Sequence, residues 1–570
     1  MRRFSFLFIM TGLLFSPSIH ADQVDTYIKL RMDKEHLPGL SLAVLRDGKI
    51  IKLKGYGYAN LELKVPASPG TVYQVGSITK QFTATAILIL VQENIVGLDD
   101  KIGKYLNGTP EAWKEITVRN LLTHTSGLQG EGIPTTDKTM AADFTEEDMF
   151  KSAIALPMLS PPGVKYAYSN LDYNLLAIIV EKVSGKTYAD FLQERIFQPL
   201  GMTSTRVNDR GAIIPNRAQA FLWNNGSLQI CEPQVSPTRY LGSGSILSTV
   251  SDLAKWDAAL YTDRILTATS LKMMWTPTKL ADGTFTDYGF GWVISSVKKH
   301  ADIHHNGAMN GFVGNISRFA DDRLTVIVLV NQSGLSNTER IATGVARIYI
   351  PAIRPTLQGN RLPLAKVDPA VYAAFAGHYD YYSGFMLTLT TGSGVLLGQL
   401  PVGEADDYVP VSATSFWQAE EGIQLTLAKN ASGEVIGLLV RQDDGTERAI
   451  PRIGPLFNSL APRADPDPNR TQQMVDAMKA MAHGGKAVEE EATIAAGGKR
   501  DFASGSPDVE GLKSLSYIAV QDVADRGVER HGEKVSRILY YRMATDKSTG
   551  NLLLYLTADG LLTDYDIVDN

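Results

Sequence analysis

The sequence predicts an α/β (α+β) domain on one antiparallel sheet with a helical subdomain, followed by a small all-β module and a C-terminal α+β unit. Three observations carry this reading. Near the start, "LSLAVLRDGKIIKLKGYGYANLEL" reads as a hairpin turning at Asp47-Gly48, and "GFVGNISRFADDRLTVIVLVNQ" reads as a second, turning at Asp321-Asp322. Helical stretches, notably 77–95, 170–184 and 187–196, lie between them, so strands from both ends of one domain frame a helical middle. From about 370 to 453, short alternating strands such as "FMLTLTT", "IQLTLAK" and "EVIGLLVRQ" are parted by Gly, Asn and Asp turns, as in a small antiparallel barrel or sandwich.

Proline-rich punctuation sets the boundaries. Segment 351–369 carries four prolines and little periodicity, which suits a linker, and "PLFNSLAPRADPDPN" at 455–469 suits a second. A helix-like stretch near 470–482 and strands such as "SRILYYRMA" and "NLLLYLTADG" then predict a third, α+β unit. The domains expected are thus 22–355, 366–453 and 465–570. A chain of 570 residues is too long for one core, so several domains are also what its length demands.

Composition excludes several classes of function. The apolar fraction of 44% and charged fraction of 20% are those of a globular protein, and a net charge of −6 favours no nucleic-acid partner. Residues 1–21 read as a secretory leader: Arg2 and Arg3, a short apolar run from Phe4 to Phe15, and Ala21 as the cleavage residue. As an uncleaved anchor that run is short for a span of about 20 residues. The expectation is an exported chain, periplasmic or extracellular, with no stable membrane span after cleavage. Cys231 is the only cysteine, which excludes an internal disulfide and a cysteine-based metal site.

The chemistry starts at "YQVGSITKQFTATAILILVQ" (73–92), which sets Ser77 and Lys80 on one helical face at the mouth of an apolar helix. Serine is a poor nucleophile without an adjacent base, and a lysine in a core can serve as one. The bland alternative is that Ser77 caps the helix and Lys80 reaches out to solvent. The S-x-x-K pattern also recurs at Ser295–Lys298 and Ser296–Lys299. A second element, Tyr168-Ser169-Asn170 in "PPGVKYAYSNLDYNLLA", stands at a loop-to-helix junction where Asn170 could cap the helix. There a phenol can shuttle the serine proton and an amide can hold a substrate carbonyl. The third, "IHHNGAMNGF", brings His305-Asn306-Gly307-Ala308 just before the second hairpin. Small residues there allow close backbone approach, so an N–H can complete an oxyanion hole with that of Ser77. His304 and His305 in one strand point to opposite faces, which argues against a metal site.

"SITK", "YSN" and "HNG", in that order, resemble the serine β-lactamase and penicillin-binding-protein superfamily, above all its class C β-lactamase, D-aminopeptidase and β-lactamase-like esterase branch. "LLTHTSGL" (121–128), "PLGMTSTR" (199–206), "GSGSILSTVSDLAKW" (242–256) and "YGFGW" (288–292) match the same branch, spanning roughly residues 25–350. The resemblance implies a serine hydrolase working through an acyl-enzyme, without a cofactor, on a small ester, a D-amino-acid peptide or a β-lactam. It makes Ser77 the nucleophile and gives proton transfer to Lys80 with Tyr168. Asn170, His305 and Gly307 then line the pocket, and the N–H groups of Ser77 and Ala308 hold the oxyanion. His305 replaces the lysine of the family's K-T-G, which shifts the expectation from β-lactam carboxylates toward esters and D-amino-acid amides. If it reads a substrate carboxylate, its charge should change near the ordinary imidazole pKa, about 6.5. The competing reading is a non-catalytic penicillin-binding or sensing protein that keeps the fold. An α/β-hydrolase is set aside, because no G-x-S-x-G occurs. "FAGHYDYYSGFMLTLTTGSGVLLGQL" resembles the lipocalin-like barrel appended to some members, a module that walls the pocket, binds a ligand, or simply packs.

Overall fold

The two hairpins at either end of the first domain pair with each other. Strand Gly39–Arg46 lies antiparallel between Lys49–Asn60 and Leu324–Val330, with Leu40 opposite Val330 and Leu42 opposite Val328. Phe312–Phe319, His300–Met309 and Val293–Val297 complete one side of a seven-stranded sheet, and the two-residue strand Val65–Pro66 ends the other. The first hairpin turns where expected, because Asp47 and Gly48 both take positive φ, 52° and 69°.

The computed structural model describes residues 17–128, 141–154, 156–224, 226–232, 234–355, 367–382, 385–392, 395–400, 405–442, 445–456, 460–502, 509–546 and 549–568. Most of the expected leader, residues 1–16, and the centre of the first linker, 356–366, therefore lie outside the described residues. From Pro17 to Lys34 the chain is helical. Among the described residues no helix is long and apolar enough to cross a membrane.

Side chains alternate across the sheet, so the unbroken apolar run of Leu324–Val330 supplies two cores. Val326, Val328 and Val330 pack under the helices Pro17–Lys34 and Thr338–Tyr349, with Ile28, Ile341 and Val345. Ile327 and Leu329 face the other way, into the larger core of the helical subdomain. At its centre runs Thr79–Gln92, buried on all sides from Thr79 to Leu90 as an all-round apolar helix must be. Trp256 Nε1 donates to Gln81 Oε1 at 3.0 Å and Thr83 Oγ1 donates to the Gly242 carbonyl at 2.6 Å, while Gln81 Nε2 is buried without a partner among the described residues.

Residues 377–454 close into an eight-stranded antiparallel barrel. Its interior is filled by Tyr379, Leu389, Leu396, Tyr408, Phe416 and Leu438, and Phe375 of the short helix Pro369–Phe375 stacks 4.6 Å from Phe416. The barrel is thus a packed core. It docks through charge onto the two helices covering the sheet's other face. Arg340 makes a two-pronged pair with Asp406 at 2.8 Å on both bonds, Arg347 bonds Glu421 at 3.0 Å, and Arg31 bonds Glu420 at 3.0 Å. Ile78, beside Ser77, belongs to the core of the opposite face. Among the described residues the barrel thus seats on the face of the sheet away from Ser77, which favours packing over walling the serine pocket.

The final unit is α+β, as expected. Helix Pro468–His483 lays Met474, Met478 and Met481 on a four-stranded antiparallel sheet, against Leu539, Tyr541 and Leu552. Buried Arg530 joins this unit to the barrel by an ion pair to Asp380 at 2.7 Å.

Candidate active site

Ser77 stands in a single 3-10 turn, Gly76–Ile78, feeding the helix Thr79–Gln92. The helix N-cap is Ile78 and no side chain caps it, so the alternative that Ser77 is a cap is overturned. Two glycines bring this turn against the strand His300–Met309. Gly76 takes φ 52°, and a Cβ on it would lie 2.6 Å from the Ala308 nitrogen. A Cβ on Gly307 would lie 2.1 Å from the Val75 oxygen and 2.8 Å from the Ser77 nitrogen. Backbone meets backbone, and the Ala308 amide faces the turn that carries Ser77.

Lys80 is fully buried, which overturns the alternative that it reaches solvent. Its Nζ donates to Ser77 Oγ at 2.9 Å, to Asn170 Oδ1 at 2.7 Å and to the Ser243 carbonyl at 3.1 Å. All three donors of an ammonium are thereby used. The Tyr168 ring centroid lies 4.6 Å from the same nitrogen. Asn170 does not cap its helix: Ser169 is the N-cap, accepting from the Asp172 N–H, and Asn170 Oδ1 accepts from Lys80 instead. The rival pair Ser295 and Lys298 is otherwise engaged. Ser295 Oγ donates to the Asp302 carbonyl at 3.2 Å, and Lys298 Nζ donates to the Arg354 carbonyl at 2.6 Å.

His305 and His304 do point to opposite sides of the sheet. His304 faces Asp302 and Ser295, whereas His305 turns to the pocket. Both nitrogens of His305 are engaged: Nδ1 donates to the Asn306 carbonyl at 2.5 Å and Nε2 accepts from the Tyr288 hydroxyl at 2.9 Å. Burial, reinforced by the charge of Lys80, holds this imidazole down at about 3. It is neutral across the physiological range, in keeping with the shift away from carboxylate substrates, and the conditional reading in which its charge changes near the ordinary imidazole pKa is corrected. With no charge change at His305 between pH 6 and 8, pH–rate profiles for a carboxylate-bearing and a neutral substrate should run parallel there. A steeper fall for the anionic substrate alone would refute the neutral assignment.

Ser77 lies between two unequal cavities. One, of about 130 Å³, has a mixed lining that includes Asn170, Ser243 and Asn310 beside Val235, Tyr240 and Met309. The other, of about 460 Å³, is lined by Tyr166, Tyr168, Tyr288, Val293 and His305. Tyr166, Tyr288 and Val293 also line an adjoining cleft of about 660 Å³ that reaches Val164, Leu280 and Phe285. Phe285 is 66% exposed at its rim. Among the described residues, those named as lining these cavities come from the first domain.

The seven predicted residues, Ser77, Lys80, Tyr168, Asn170, His305, Gly307 and Ala308, thus converge on one place. Sequence reasoning missed Tyr288, which holds His305, and the buried group His124, Ser126 and Asp172 behind Tyr168. His124, Ser126 and Tyr288 lie inside "LLTHTSGL" and "YGFGW", stretches noted for their likeness and not for their chemistry.

The family model described as Beta-lactamase matches residues 24–349. Penicillin-binding protein 4* of Bacillus subtilis (strain 168) is 29% identical over 447 residues, 73% of this chain and 96% of that one. Protein flp of Staphylococcus aureus (strain COL) is 26% identical over 322 residues, 54% of this chain and 62% of that one. Among solved structures, the octameric penicillin-binding protein homologue from Pyrococcus abyssi aligns with a TM-score of 0.53 at 24% identity, covering 75% of this chain and 99% of that one. FmtA from Staphylococcus aureus aligns with a TM-score of 0.50 at 21% identity, covering 59% and 90%. Those last two likenesses speak to the fold.

Proposed function

The chain belongs to the beta-lactamase family, and from that premise we propose that it is an exported serine hydrolase acylated on Ser77. The observation that carries the reading is the buried Lys80 ammonium-type contact: one nitrogen 2.9 Å from Ser77 Oγ, held by Asn170 and the Ser243 carbonyl. In this reading the reactive form has Lys80 as the neutral amine: it keeps its N–H bonds to Asn170 and the Ser243 carbonyl, its lone pair takes the serine proton as the hydroxyl attacks, and with Tyr168 it returns that proton to the leaving group. The Ser77 and Ala308 N–H groups stabilise the oxyanion, an arrangement supported by the backbone contact at Gly76 and Gly307. The leader-like first 21 residues support export.

The cavities support a substrate class. A neutral His305 offers no cation to a carboxylate, and the large cleft presents Tyr166, Tyr288, Val293 and Phe285. The substrate is therefore an uncharged ester or amide with one small arm and one apolar arm. An arylalkyl arm should raise kcat/KM about 10- to 100-fold over a methyl one, an increment that burial of one ring supplies. Equal kcat/KM along such a series would exclude this assignment.

Similarity to a protein named for penicillin binding supports a second reading, in which Ser77 is acylated once and released slowly. Intact-protein mass spectrometry after exposure to esters, D-alanyl peptides and β-lactams separates the two. Turnover with a transient adduct on Ser77 supports the hydrolase, and a lasting stoichiometric adduct with β-lactams alone supports the binder. No adduct with any of them counts against both.

A further inference from the structure

We propose that His124 is the positioning residue for Tyr168: it clamps the loop that carries the phenol and keeps it beside Lys80. This rests on the role given to Tyr168 above. His124 follows the short helix Val118–Leu122, is completely buried, and has φ 54°, a conformation few side chains adopt. That conformation turns both its main chain and its ring toward one loop. Its carbonyl accepts from the Ala167 N–H at 2.9 Å, and its Nδ1 accepts from the Ser169 N–H at 3.2 Å. The two bonds bracket Tyr168. Between them the imidazole lies 4.5 Å from the Tyr168 ring, tilted by 48°.

The same ring reaches the rest of the site. It lies 4.8 Å from Tyr288, whose hydroxyl holds His305. Behind it, Asp172 Oδ2 stands 3.2 Å from Nδ1, while Ser126 Oγ donates to Asp172 Oδ1 at 2.6 Å. Asp172 sits two residues after Asn170, on the helix whose Asn170 amide holds Lys80. With Nδ1 accepting, the ring proton sits on Nε2, which has no hydrogen-bond partner among the described residues. A left-handed backbone and a buried unpartnered donor are two local costs in a single residue. A side chain that only filled the core would carry neither, and strain of this kind concentrates at functional sites.

A double-mutant cycle on the full chain tests the proposal, with kcat/KM for a neutral ester as the readout. Tyr168→Phe and His124→Phe should each slow turnover, the latter by about 100-fold, the cost of misplacing a reacting group by roughly 1 Å. In the Tyr168→Phe background, His124→Phe should then add less than about threefold. His124→Asn tolerates positive φ and carries an acceptor near the position of Nδ1, so it should recover to within about tenfold of wild type. Losses that multiply would show a merely structural role and overturn the proposal, as would wild-type turnover in His124→Phe. Should His124→Phe fail to fold by circular dichroism, the same cycle with His124→Gln decides between these outcomes. Wild-type turnover in Tyr168→Phe alone would instead sink the role of Tyr168, and the proposal with it.

Discussion

Ser77→Ala is expected to lose about 10⁴- to 10⁶-fold in kcat, the scale on which removal of a catalytic nucleophile acts. The fold should barely respond. The hydroxyl removed accepts one hydrogen bond from Lys80, and Lys80 keeps Asn170 Oδ1 and the Ser243 carbonyl. One unmatched donor costs about 1–3 kcal/mol, a shift of a few degrees at most in a chain of this size. Fluorophosphonate should label the wild type on Ser77 and leave the alanine variant unlabelled. The alternatives are Ser295 and Ser296, on the strand Val293–Val297, where the motif lysine Lys298 is turned away to Arg354. Labelling at either, or turnover surviving in Ser77→Ala, would remove Ser77 from the mechanism.

How far the sequence revealed this site depends on how far apart the cooperating residues lie. Ser77 and Lys80 are one helical turn apart, so local periodicity places them together. The two terminal hairpins were equally plain, because period-2 alternation and an Asp-Gly turn are local signals. Asn170 was legible as a pocket residue, and it does line the smaller cavity; that its neighbour Ser169 takes the cap was not, because which of two adjacent polar residues caps depends on backbone angles at the junction. That His305 carries no standing charge was legible from its residue type, but how far burial pushes its pKa down was not. That depends on the depth of burial and on Tyr288, which arrives from a loop 17 residues away. His124 hid for the opposite reason. "THTSG" reads as an ordinary polar turn, and only the fold shows the turn closed inside a ring of tyrosines. The seat of the barrel was hidden too. Arg31, Arg340 and Arg347 look like ordinary surface charges until two helices from opposite ends of the domain align them against Asp406, Glu420 and Glu421.

Gly307→Ala should damage turnover far more than one added methyl group would suggest. The added Cβ would fall 2.1 Å from the Val75 oxygen, 2.8 Å from the Ser77 nitrogen and 3.0 Å from the Ile78 nitrogen. All three are backbone atoms, so no side chain can swing aside. The strand His300–Met309 must draw back from the nucleophile turn, and the Ala308 amide goes with it. A donor displaced from an oxyanion hole costs about 100- to 1,000-fold in kcat. The contact exists only once the oxyanion has formed, so KM should change little. Overpacking also strains the fold by about 1–3 kcal/mol, and stability alone could depress apparent activity. Gly39→Ala supplies the control. Its Cβ would meet the Tyr58 oxygen at 2.2 Å, a comparable backbone clash on the first strand of the same sheet, away from Ser77. Both variants should lower the thermal midpoint, but only Gly307→Ala should lower kcat per correctly folded molecule. Equal kcat losses in the two would mean that strain accounts for the effect, and that Ala308 holds no oxyanion.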